Sequence, residues 1–290
     1  MSDLLMNPGV QSSLIPLLSA LVVMGLIRCL PMGAHQFLGL SVLVGFLVAS
    51  YVTFGLPVLV PVASGQKIVY IAIISGSLGL VAQIFLRSGR FLLLTSLFGI
   101  ILSFSWIGWK KIFAPVSMDH FGALLILAGC GMAAYKVLSV RHRNVVDTNK
   151  NDNLVVLAIV SIAIALNAFM GASASIAQNS GALAASLGAI ILSNWVGLTV
   201  QPGPVTRFVP LIILPALLAQ IHYFTKSNMW PLALLLLAFF TGDLAHRFVP
   251  ISVQKSRFMR PIIIGAINTI LAIASVAMSW AFLPVAASGY

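Results

Sequence analysis

Residues 154–170 read LVVLAIVSIAIALNAFM, and residues 171–188 continue as GASASIAQNSGALAASLG. The first stretch carries no charge, and its apolar residues do not alternate with polar ones as a barrel strand would require. A helix crossing a hydrocarbon core of about 30 Å needs roughly 20 such residues. Working outward from this pair gives ten apolar runs: 12–30, 36–55, 67–86, 91–109, 119–139, 154–170, 173–198, 205–225, 229–248 and 259–282.

Composition agrees. Of 290 residues, 60% are hydrophobic and 7% charged, with a mean hydropathy of +1.08. A soluble domain carries roughly 25% charged residues. Too little charge is present to coat a water-facing surface, which excludes a soluble enzyme, a disordered chain and a fibrous repeat. The fold class expected is an all-α polytopic integral membrane protein with about ten transmembrane helices.

Pro31, the 57–61 stretch, Pro115, 202–204 and Pro250 punctuate the runs. The longest polar segment, RHRNVVDTNKNDN at 141–153, separates a first half (1–140) from a second half (154–290), together one membrane unit. An odd number of spans per half would invert the halves relative to one another, as in many transporters. Ten spans in about 300 residues resemble, in count alone, the drug/metabolite transporters and the bile-acid and auxin carriers. Neither resemblance assigns a role to any residue of this chain.

Sixteen Lys and Arg stand against five acids, all Asp. The basic residues are dispersed over short loops, which fits membrane orientation and lipid head groups rather than nucleic acid, and no nucleic-acid partner is expected. Twelve fall on the odd-numbered connections (Arg28; Arg87, Arg90; Lys136, Arg141, Arg143, Lys150; Arg207; Arg247, Lys255, Arg257, Arg260) and four on the even-numbered ones (Lys67, Lys110, Lys111, Lys226). The positive-inside rule places the odd connections in the cytoplasm and both termini on the non-cytoplasmic side. The expected location is a cytoplasmic membrane, the inner membrane of a bacterium. Residues 1–11 hold Asp3 and no Lys or Arg, so the first run reads as a retained span rather than a secretory signal. The five Trp, at 106, 109, 195, 230 and 280, all lie near span ends, where an indole sits between hydrocarbon and water.

Cys29 and Cys130 lie inside apolar stretches and form no metal-ligand spacing. Ionisable groups at membrane depth are the default functional candidates. Asp119 stands at the very edge of its run, and the only acid inside a span is Asp243, with His246 and Arg247 three and four residues later on the same helical face. It reads either as an interfacial ion pair or as a protonatable solute contact. The neutral amides Gln83, Asn167, Gln178, Asn179, Asn194, Gln220 and Asn268 lie in or beside spans, where an amide ties helices together or lines a solute path. The resulting solute-path candidates are Asn167, Gln178, Asn179, Asn194, Asn268, Asp243 and His246.

Small residues recur through 171–188 at three- and four-residue spacing, which reads as a close-packing helix face or as a broken, re-entrant segment. As a packing face, it should bring Gln178 or Asn179 to Asn167 or Asn268. Haem would need two His facing each other at one depth. Only His120/His222 and His35/His246 match in depth, and no cofactor or metal is expected. No phosphate loop, dinucleotide turn, HExxH, nucleophile elbow or carboxylate pair is present, and Glu is absent, so catalysis is disfavoured.

Two functions remain. One is a small-solute permease or secondary transporter for a neutral, apolar or anionic solute, since carboxylates for metal cations are lacking. The other is a non-catalytic structural or assembly subunit of a larger membrane complex. Expected partners are membrane lipids, with other membrane subunits or further copies of the chain.

The charge split makes a direct prediction. Reporter fusions at Tyr290 and within 141–153 should report opposite sides of the membrane, the latter cytoplasmic. A cytoplasmic signal at Tyr290 would overturn the orientation.

Overall fold

The computed structural model describes residues 7–85, 89–112, 118–139, 151–198, 200, 203–225, 227–241, 256 and 258–282. Among them, nine helices are long and apolar enough to cross a membrane. They are α1 (Pro8–Arg28), α2 (Gln36–Phe54), α3 (Ser64–Phe85), α4 (Gly89–Ile112), α5 (Met118–Ser139), α6 (Asp152–Met170), α7 (Ala174–Trp195), α8 (Pro204–Phe224) and α10 (Met259–Ala281). A shorter apolar helix, α9 (Met229–Phe240), precedes α10 and tightens to 3₁₀ geometry over Leu237–Phe240. The ninth run expected from sequence, 229–248, extends past the described residues. All regular structure among the described residues is helical, and the chain is a multi-pass membrane protein.

Local chemistry sets the helix ends. Asn7 caps α1 by accepting from the Gly9 N–H at 2.9 Å. Asn228 caps α9 by accepting from the Trp230 N–H at 3.3 Å. Gly55 ends α2 at φ +77°, a left-handed conformation that a side chain would strain. Pro204 opens α8 at a position where a missing N–H costs nothing.

Helix α8 is the hub. In its most apolar window 89% of residues are buried, against 17% for α1 and 28% for α10. Helices α2, α3, α4, α5, α6 and α7 all pack on it. Outside this ring, α1 covers α2 and α7, α10 covers α6, and α9 sits between α5 and α10. Helices of the two sequence halves interleave. The third helix of each half, α3 and α8, pack together, yet α3 is 39% buried where α8 is 89%. The outer surface is apolar: Leu14, Leu18, Val22 and Leu26 of α1 and Phe91, Leu94, Phe98 and Ile101 of α4 are all exposed. This arrangement suits a hydrocarbon solvent rather than water.

Neighbour contacts fix relative direction. Ser12 lies beside Gly181 and Leu17 beside Gly188, so α1 and α7 run parallel. Asp152 meets Arg260 at the starts of α6 and α10, and Asn167 meets Ser279 near their ends, so these two are parallel as well. The start of α1 and the end of α10 therefore share one face of the bundle, here the Pro8 face. The Arg28 face lies opposite.

The small-residue stretch after Gly171 forms the continuous helix α7, with no internal break. Its smooth face receives α1: a Cβ on Gly181 would lie 3.3 Å from Ser12 Cβ and from the Ser12 carbonyl. A tighter junction joins α1, α2 and α7 at Gly45, where a Cβ would stand 2.6 Å from Ser186 Oγ and 2.7 Å from the Pro16 carbonyl. Inserted bulk costs about 1–3 kcal/mol where neighbours cannot move. Gly45→Leu should destabilise most and Gly181→Leu next. Gly25→Leu, with nothing within 4 Å, should do little. Thermal unfolding of the detergent-solubilised variants tests this order. Equal stability of Gly45→Leu and Gly25→Leu would sink the packing scheme.

Candidate functional site

In hydrocarbon an amide must find a partner, and the structure separates amides that have one from those that do not. Asn167 is fully engaged. Its Nδ2 donates to the Ala163 carbonyl at 2.8 Å and to Ser275 Oγ at 3.1 Å, while its Oδ1 accepts from Ser279 Oγ. Ser275 Oγ in turn donates to the Pro231 carbonyl at 2.8 Å. This network fastens α6, α10 and the start of α9. Asn268 is also engaged: Nδ2 donates to the Ile264 carbonyl at 2.8 Å and Oδ1 accepts from Thr241 Oγ1 at 3.1 Å, joining α10 to the end of α9. Asn194 braces the Arg28 face by donating to Asn151 Oδ1 and accepting from the Val200 N–H, both at 2.5 Å.

Asn179 does not reach Asn167 or Asn268, as the sequence pattern had led one to expect. It points instead to α2, where Ser50 Oγ donates to its Oδ1 at 3.4 Å. The reason is rotational: the α7 face bearing Asn179 packs on α2, while α6 presents Asn167 to α10 on its far side. Asn179 is buried, and its Nδ2 has no hydrogen-bond partner in the protein. Gln178, the adjacent residue, is half-exposed. Asp243, His246 and Arg247 lie outside the described residues, so the structure does not place that cluster.

The hub helix carries the group that the candidate set passed over. Gln220 is 1% exposed, and neither its Oε1 nor its Nε2 has a hydrogen-bond partner in the protein. Thr206 on the same helix is fully buried with its hydroxyl unpaired. The two residues are 14 positions apart on one helical stripe, roughly 21 Å at 1.5 Å per residue. Pro210 and Pro215 lie between them. Pro210 has no N–H to offer the Thr206 carbonyl, nor Pro215 the Leu211 carbonyl, so the backbone ladder of α8 is interrupted twice. At the Arg28 end, Thr206 abuts Gly39 of α2, and Gln83 of α3 donates to the Gln36 carbonyl while its own Oε1 is unpaired. At the Pro8 end, Gln220 lies one turn inside the end of α8, and Asn179 and Ser50 lie at similar depth on α7 and α2.

This set has definite chemistry. Three amides (Gln83, Asn179 and Gln220) and two hydroxyls (Ser50 and Thr206) offer donors and acceptors without charge, which suits a neutral or anionic polar group. Among the described residues no three His, Cys, Asp or Glu gather to hold a metal. His120 Nε2 lies 3.2 Å from the Ile112 carbonyl, and His222 packs on Tyr223.

The described ion pair is structural. Arg260 Nη2 and Nε both lie 2.8 Å from Asp152 Oδ2, with side chains 7% and 13% exposed. It fastens the starts of α10 and α6. Asp152 sits at the last residue but one of the polar linker and Arg260 near the start of the final run, so their matching depth was readable in sequence but their pairing was not. No protein-family model, curated protein or solved structure matches the chain.

Removing one partner of a buried pair costs about 3–5 kcal/mol because the other charge is stranded. Arg260→Met should therefore destabilise strongly, and the Asp152→Leu/Arg260→Met double variant should recover most of the loss. Thermal unfolding of the three proteins checks this. No recovery in the double variant would mean that the pair does not act as a unit.

Proposed function

We propose that this chain is a small-solute permease, and that the solute meets the unpaired amide of Gln220 on α8. One observation carries the reading: a fully buried amide with neither atom paired, on the most enclosed helix of the bundle. Such a group costs about 1–3 kcal/mol relative to an apolar replacement. A fold optimised only for packing gains nothing from it, whereas a solute bearing a hydrogen-bonding group relieves the penalty on binding. The interrupted ladder of α8 adds a helix that can bend between two arrangements. With neutral groups on offer, the solute is neutral or anionic and moves without chemical change. Asn179 and Ser50 are the nearest in depth and join Gln220 as solute contacts in this reading.

Ten crossings and outward termini complete the proposal. Met229 lies on the Pro8 face beside Gly122 and His222, while Met259 starts α10 on the Arg28 face. Met229 and Met259 thus stand on opposite faces, which supports a ninth crossing. Among the described residues Arg28, Arg90, Lys136, Arg207 and Arg260 flank the Arg28 face, and Lys67, Lys110 and Lys111 the Pro8 face. That bias supports a cytoplasmic Arg28 face and insertion in the inner membrane.

The alternative, a subunit of a larger complex, draws support from the loop after α2. Leu59 and Val62 there are 92% and 85% exposed, and a partner subunit would cover them.

Gln220→Leu separates these readings. It should raise the unfolding temperature, by the equivalent of about 1–3 kcal/mol, and abolish uptake of labelled neutral and anionic solutes into proteoliposomes. A fall in stability would show that Gln220 has a structural partner. Unchanged uptake would remove it from the solute path.

A further inference from the structure

A groove of about 640 Å³ lies between α5, α9 and α10, and no residue of α8 lines it. Its lining is apolar throughout, from Trp230 at the start of α9 to Phe240 at the end, with Leu125 and Met132 of α5 and Met278 and Phe282 of α10 on the walls. We propose that this groove binds a hydrocarbon chain of a membrane lipid from the leaflet on the Pro8 face.

Small residues form part of its wall. Gly129 and Ala233 line it, and Leu236 packs so closely over Gly129 that a Cβ there would be 2.4 Å from Leu236 Cδ1. The wall behind is therefore closed and the front open. A space of this size is too large to stand empty in a close-packed protein. Water is a poor occupant, since it needs two to four polar partners and the lining side chains offer only the Trp230 indole N–H. A polar solute fails for the same reason.

The occupant follows from where the groove opens. Leu124, Met132, Leu237 and Phe282, on or beside its rim, are all exposed, so it is continuous with the lipid-facing surface of the bundle. Its length also matches one leaflet. Trp230 and Phe240 are ten residues apart, about 16 Å along a helix that tightens at its end. That is half of a hydrocarbon core of about 30 Å. The deep end is level with Thr241, which bonds Asn268 partway along α10. Trp230, 47% exposed, stands at the mouth, where an indole spans the boundary between chains and head groups. A chain entering from the Pro8 face thus finds a seat lined at its far end by Phe240, whose ring has the Lys136 ammonium 5.5 Å from its centroid.

Two measurements test the proposal on the full-length protein. In the first, delipidated protein in detergent is titrated with phosphatidylglycerol and examined by native mass spectrometry. Wild type should retain one lipid at concentrations where Ala233→Phe, which fills the groove, retains at least tenfold less. Ile270→Phe, on an exposed face of α10, should behave as wild type. Equal retention by all three would overturn the site, and so would a co-purifying peptide held in place of lipid and lost from Ala233→Phe. The second measurement needs no filled groove. In bilayers containing phosphatidylcholine brominated at mid-chain, the fluorescence lost in Trp230→Phe isolates the Trp230 signal. That signal should be quenched at a several-fold lower fraction of brominated lipid than the Trp280 signal isolated in the same way from the exposed Trp280. Parallel quenching of the two would mean only ordinary contact with surrounding lipid and would sink the proposal.

Discussion

A helix with two internal prolines cannot face lipid on its own. In hydrocarbon no water replaces a missing backbone partner, so the carbonyls of Thr206 and Leu211, deprived of donors by Pro210 and Pro215, need enclosure within the protein. The architecture follows from that constraint. Six helices wall in α8, and the remaining three lie outside them. Close approach to the hub is achieved with glycine. At Gly79 of α3 a Cβ would stand 2.9 Å from Val205 Cα, so the two backbones touch. Helix α1, with no such duty, is left to cover α2 and α7 with most of its surface toward lipid.

The polar groups sort by their distance from the hub. Amides on the peripheral interfaces, Asn167 and Asn268, are saturated and hold α9 and α10 to the bundle. The ion pair Asp152–Arg260 holds the other end of the α6–α10 interface. Interhelical hydrogen bonds in membranes are individually weak, about 0.6 kcal/mol on average, so several per interface are needed where the packing surface is small. Thr206 and Gln220, whose side chains have no partner at all, sit on the hub itself, while Gln83 on α3 and Asn179 on α7 each leave one amide atom unpaired beside it and Trp195 leaves its indole N–H unpaired at the end of α7. Peripheral polarity therefore serves assembly, and the unpaired groups on the hub are the ones on which the proposed solute contact rests.

Run lengths, the absence of charge and the loop punctuation determined the helical membrane class and the approximate bounds of the spans, because a bilayer of fixed thickness imposes those features on any chain that crosses it. The close packing of the 171–188 face was readable for the same kind of reason: small residues at helical spacing remove the spacer between backbones. What the sequence left open is which helix meets which. Gln178 and Asn179 are neighbours of one chemical type, yet only Asn179 is buried, because a rotation of 100° per residue turns one toward α2 and the other away. Asn167 and Gln220 are both amides within a span, and nothing local says that one is saturated by two serines of α10 while the other is not. Burial of α8 on all sides, the pairing of Asp152 with Arg260 across 108 positions and the apolar groove against α9 were likewise decided only by tertiary structure. Hydropathy and charge measure a residue's preference for lipid or water, whereas partnership depends on the rotation and neighbour of each helix, which the bilayer leaves unconstrained.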